Sequence, residues 1–115
     1  MDTERFYIGS TRFTNYTFKE NSEWRERFKW KGCVYGCNKK MPLTVPHLAL
    51  VYVIEMNNTT NEIMGIGKIK NILKDENRRR IYENENYNRY VYNGKDRICR
   101  LELLHKNLEI IENLE

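Results

Sequence analysis

Four lysines, two cysteines, Trp30 and Tyr35 crowd into FKWKGCVYGCNKK, residues 28–40, with no acid among them. Three chemistries compete for such a segment. Cys33 and Cys37 have nearly the spacing of a zinc knuckle, and Cys99, His47 or His105 would have to complete the site. Structural zinc sites ordinarily show two close pairs of ligands. This chain offers one, so small buried thiols are the better reading, and a disulfide is disfavoured in a reducing compartment. A Cys–His nucleophile pair with His47 or His105 as base is the second option. No Gly-x-Ser-x-Gly is present, and Asp2, Asp75 and Asp96 are the only aspartates. No metal or other cofactor is expected, and an enzyme is the less favoured class.

The third chemistry is recognition of nucleic acid. Arg27 to Ile54 carries five Lys or Arg and no acid, whereas Leu101 to Glu115 carries four acids against one Lys. A basic centre with an acidic tail fits a protein that attracts an anion to one face. Arg78, Arg79 and Arg80 form a second cationic run. Planar guanidinium forks match phosphate oxygens, and with Lys39 and Lys40 they would make binding steeply salt-dependent. The aromatic set is Trp30, Tyr35, Tyr52, Tyr82, Tyr87, Tyr90 and Tyr92. Rings beside cations are what a single strand or a flipped base requires. The competing readings are a solvated loop for the arginines, core positions for Tyr52, and cross-strand pairing for Tyr90 and Tyr92.

These residues need elements to hold them. RFYIGS (5–10) reads as a short strand, and 11–18 as a loop or ragged strand. NSEWRERFKW (21–30) reads as a short helix capped by Asn21 and Ser22, with Trp24 and Phe28 on one face and Trp24 as a core anchor. Residues 31–46 are punctuated by Gly32, Gly36, Pro42 and Pro46 and read as a loop with a short strand around 33–35. HLALVYVIEM (47–56) holds seven consecutive apolar residues, a strand expected to be covered on both faces. The polar turn 57–62 and the strand 63–72 complete a hairpin. Gly65 and Gly67 on that strand would admit a close neighbour. Residues 74–86 read as a charged surface loop. Asn93-Gly94 within 87–103 carries the sequence signal of a type I′ hairpin. In 103–115, Leu104, Leu108, Ile111 and Leu114 lie at helical spacing, facing the sheet or a partner.

The 115 residues suit one domain, 1–115, of α+β class with a mostly antiparallel sheet. At 40% hydrophobic and 31% charged, the chain is neither disordered nor membrane-spanning. The start MDTERFYIGS lacks the pattern of a signal peptide, so a cytoplasmic or nuclear location is expected. Abundant Asn, Ile, Lys and Tyr suggest an A/T-rich genome, such as that of a large DNA virus, a protist or a low-GC bacterium. In a viral case the location would be that of the host cell.

In order, RFYIGS, WKGCVYGCNKKM and HLALVYVIEMNNTTNEIMGIGKI resemble the PUA-like superfamily, in particular its YTH and EVE branches, over roughly residues 5–70. Those domains open with a strand of the form Arg-Phe-Phe-x-Ile-Lys-Ser and continue through a Trp-x-Gly-Val segment into a hydrophobic hairpin with a Gly-x-Gly-like step. The resemblance implies a small curved β-barrel flanked by helices. It also implies a base pocket walled by Trp30, Cys33, Val34, Tyr35 and Asn38, with Lys39 and Lys40 at its phosphate rim. No tryptophan follows Trp30, where YTH readers carry a second, and Gly9 stands where the family often has Lys. A base-sized pocket is therefore carried over, not a specific modification. The expected function is an RNA- or DNA-binding module reading one modified or flipped base. The alternatives are a small hydrolase of modified nucleosides, as in the ASCH branch, and a protein-interaction module using the C-terminal helix.

Overall fold

A computed structural model describes residues 5–73 and 80–113. The order is β1 (Phe6–Phe13), α1 (Asn15–Arg27), β2 (Cys33–Cys37), β3 (Leu50–Asn57), β4 (Glu62–Lys70), a single 3₁₀ turn (Glu85–Asn88), β5 (Tyr90–Gly94), β6 (Asp96–Cys99) and α2 (Arg100–Asn113). One sheet runs β1-β3-β4-β6 and a second pairs β2 with β5. Pairing is antiparallel except between β1 and β3, which run parallel. The class is α+β, as expected. The closed barrel is not: no closed barrel forms among the described residues, because β1 pairs with β3 on one side and with no strand on the other. No helix among them is long and apolar enough to cross a membrane.

Alternation explains the main sheet. In β3, Val51, Val53, Glu55 and Asn57 point inward and are buried, while Leu50, Tyr52, Ile54 and Met56 are only half-buried. The expectation that both faces are covered fails, because Phe6 and Ile8 beside them are 53% and 68% exposed. Helix α1 begins earlier than its sequence suggests. Thr14 is the N-cap and exchanges hydrogen bonds with Thr17, a reciprocal cap. Asn21 is thereby left mid-helix and buried. Its Nδ2 donates to the Val34 carbonyl at 2.8 Å and to the Tyr82 hydroxyl at 3.0 Å, tying α1 to β2. Trp24 is a core anchor at 1% exposure.

The Asn93-Gly94 pair does not make a hairpin. Neither residue has a positive φ, and β5 pairs with β2 while β6 pairs with β4. The chain instead crosses from one sheet to the other at Lys95. Gly94 is needed there because a Cβ would overlap the Lys68 carbonyl of β4, just as one on Gly32 would overlap the Gly94 carbonyl. Backbones pack directly at this crossing.

The core holds one buried ion pair. Glu55 Oε1 lies 2.7 Å from the Arg97 Nη2, and their side chains are 3% and 9% exposed. Tyr35 donates its hydroxyl to Glu55 Oε2 at 2.6 Å. Burial opposes the Arg97 charge, but the hydrogen bonds and charge of Glu55 outweigh it and raise its pKa. Gly65 and Gly67 answer the question their spacing raised. A Cβ on Gly67 would overlap the Tyr35 hydroxyl, and one on Gly65 would sit 2.8 Å from Arg97 Nη2. A bulge between Glu55 and Met56 shifts the β3–β4 register, and the Met64 carbonyl accepts from Arg97 at 3.3 Å. Breaking a buried pair strands the remaining charge, so Arg97→Met should destabilise by about 3–5 kcal/mol in urea denaturation. The double change Glu55→Met/Arg97→Met should recover part of that loss. A loss under about 1 kcal/mol for Arg97→Met would mean the pair behaves as a surface one.

Candidate nucleic-acid interface

Because β1 and β2 do not pair, a seam stays open between them. It widens into a pocket of about 480 Å³, within the range of small-ligand sites. Tyr7, Gly9 and Thr11 of β1 form one wall, Tyr35 and Cys37 of β2 the other, and Val51 and Val53 of β3 belong to the floor. The segment 39–45 closes one side. It is held by hydrogen bonds: the Met41 N–H donates to the Tyr92 hydroxyl at 2.9 Å, and Asn71 Nδ2 donates to the Val45 carbonyl at 3.0 Å.

Lys39 and Lys40 both line this pocket. Lys40 Nζ stands 5.7 Å from the Tyr90 ring centroid, and the Arg89 guanidinium stands 5.7 Å from the same centroid. Lys39 and Lys40 therefore belong to the pocket, and Arg89 approaches the same Tyr90 ring as Lys40 without being part of the lining. Among the described residues, no carboxylate lines the pocket.

The structure brings together some of the sequence-derived site residues and separates others. Tyr35, Lys39 and Lys40 meet at the pocket. Asn38 is exposed beside it and is not part of its lining. Trp30 is half-buried against the core, its Nε1 donating to the Cys33 carbonyl at 3.0 Å, and Cys33 and Val34 are buried at 1% and 0% exposure. These three support β2 from within rather than lining the pocket. Arg80 is exposed and lies away from the lining, while Arg78 and Arg79 fall outside the described residues.

Sequence reasoning missed Tyr7, Thr11 and Arg89. The inward alternation of Tyr7, Gly9 and Thr11 along β1 was a usable signal for the first two. Arg89 comes near Lys40 only through the β2–β5 register, in which Cys37 faces Tyr90, whose ring both cations approach.

All three cysteines are free thiols. Cys33 and Cys37 mark the two ends of β2, so their backbones are roughly 13 Å apart at about 3.3 Å per residue, too far to share one metal. No group of three or more His, Cys, Asp or Glu converges among the described residues. The chain matches no known family, no characterised protein and no solved structure.

Burial pushes the Cys37 thiol up, and the Cys33 thiol likewise. A raised thiol pKa leaves less thiolate at a given pH. Iodoacetamide at pH 7.5 should therefore modify both more slowly than an unstructured cysteine peptide, as followed by peptide mass mapping, and Cys37 should accelerate as pH rises past 9. Rates equal to the peptide's would contradict the raised thiol pKa at both positions.

Proposed function

We propose that this domain binds single-stranded nucleic acid and takes one base, modified or flipped, into the pocket between β1 and β2. The observation that carries this reading is the union of an aromatic and apolar pocket with Lys39 and Lys40 in its lining, Arg89 near Lys40 across the Tyr90 ring, and no lining carboxylate among the described residues. Tyr7 supplies ring surface for a base, Tyr35, at 3% exposure, closes the pocket from the core side, and the cations supply charge for flanking phosphates. The resemblance of residues 5–70 to the PUA-like superfamily leads to the same class of ligand.

Each neutralised phosphate of a single strand contributes about −0.7 to the slope of log K against log salt. With three cations the expected slope is roughly −2, and Lys39→Gln/Lys40→Gln should reduce its magnitude by about 1.4. Fluorescence anisotropy with labelled RNA and DNA oligonucleotides across a salt series measures both. A flat salt dependence, or a double variant that binds like the parent, would sink the proposal.

A second reading has its own observation. Leu101 and Leu104 of α2 are 77% and 43% exposed, which suits a protein partner docking on the helix. Leu108 and Ile111 lie in α2, but their side chains, like Leu114 as a whole, fall outside the described residues. If this helix pairs with another copy, light scattering should show concentration-dependent association that Leu101→Lys/Leu104→Lys abolishes. A constant monomer mass removes that version of the reading.

A further inference from the structure

We infer that the seam between β1 and β2 holds a second nucleotide subsite next to the base pocket, so that its ligand is an oligonucleotide of at least two nucleotides. This rests on the nucleic-acid reading above. A second depression of about 160 Å³ lies further along the seam, bordered by Arg12, Gly36 and Tyr87 among others. It meets the first pocket at Thr11, which lines both. On the opposite strand the two are bordered by consecutive residues, Gly36 and Cys37. From Gly9, which lines only the first, to Phe13, which lines only the second, β1 runs roughly 13 Å at about 3.3 Å per residue. One base does not fill both depressions, and a neighbouring nucleotide would.

The second depression has the chemistry for that neighbour. Tyr87 is 42% exposed, and its ring meets the buried Tyr82 edge-on, with centroids 6.3 Å apart and planes at 81°. Its loop is fixed rather than adaptable. The Asn88 side chain accepts from the N–H groups of Ile81 and Tyr82 at 3.0 and 2.9 Å and donates to the Tyr82 carbonyl at 2.7 Å. A Cβ on Gly36 would overlap the Tyr87 carbonyl, so the loop lies directly on β2. A ring held in place with an open side is a stacking platform whose ordering cost has already been met by folding.

Arg12 is exposed at the border, with a fork suited to phosphate. The hydroxyls of Thr14 and Thr17 are engaged with each other and with the helix cap, so they are not counted as ligand donors. Among the described residues, no carboxylate lines either depression. Glu83 and Glu20 lie outside the lining and keep their charge; Glu83 accepts from the Tyr16 hydroxyl at 2.7 Å, and Glu20 from the Glu83 N–H at 2.7 Å. Cations along both depressions without a lining acid favour a polyanion over the other ligand that suits an open strand edge, an added peptide strand.

The test compares a mononucleotide, a dinucleotide and a hexanucleotide at one low salt concentration, by calorimetry, on the parent and on Tyr87→Ala, Tyr87→Phe and Arg12→Gln. Stacking one more base predicts a gain of about tenfold or more from mononucleotide to dinucleotide. Tyr87→Ala should remove that gain and leave mononucleotide affinity unchanged, while Tyr87→Phe keeps it. Arg12→Gln, at an exposed strand position that should not disturb folding, should lower the gain and reduce the salt slope by about 0.7. If the mononucleotide binds but added length gains nothing, or Tyr87→Ala weakens every length equally, the second subsite is wrong while the base pocket stands. If no nucleotide of any length binds, or extended peptides bind in their place, both readings fall together.

Discussion

The carboxylate of Glu55 sits on the inner face of β3 at 2% residue exposure, and the fold is arranged around keeping it paired. A buried charge without partners would cost several kcal/mol. Arg97 reaches it from β6, two strands away in the sheet, and Tyr35 reaches it from the second sheet. Both side chains must lie flat against β4 to do so, and β4 carries Gly65 and Gly67 where they cross. One interaction therefore joins β2, β3 and β6 and dictates the residues of the strand beneath them. It also determines where the second sheet sits over the first.

That placement leaves β1 apart. With Tyr35 drawn toward Glu55 and β2 hydrogen-bonded to β5, no strand among the described residues pairs with the outer edge of β1. An open strand edge is ordinarily a liability. Here it borders the two depressions, and its inward residues Tyr7, Gly9 and Thr11 form a wall of the larger one. The feature that prevents barrel closure is the same one that creates a concave surface. Lys39 and Lys40 lie at that surface because the segment after β2 is anchored back onto Tyr92.

The elements that depend on local pattern were legible. Residues 47–56 and 63–72 read as a hairpin and form β3 and β4. The strand 5–10 overlaps β1, which begins at Phe6 and extends to Phe13, and the terminal helix is present, starting a little earlier at Arg100. Trp24 reads as an anchor and is one. The misreadings occur where a distant partner overrides the local signal. Asn21 looks like a cap and is a buried hydrogen-bonding residue, because Val34 and Tyr82 approach it. Asn93-Gly94 looks like a turn and is a crossing, because β4 passes against it. Trp30 is a different case: a local contact, from its Nε1 to the Cys33 carbonyl three residues on, makes it a brace half-buried against the core.

The candidate site divides along the same line. That residues 28–40 are basic, aromatic and lacking in acids is a property of the chain itself, as is the single close cysteine pair that makes zinc the weaker reading. Hydropathy period and turn composition likewise establish an α+β domain without reference to any contact. Tertiary structure alone decides which of those rings and cations share a surface. Tyr35 and Lys40 are joined to Tyr7 and Thr11 by the position of the strands and by an unformed pairing. Side-chain alternation says only that a residue faces one way or the other, whereas a pocket depends on what stands opposite.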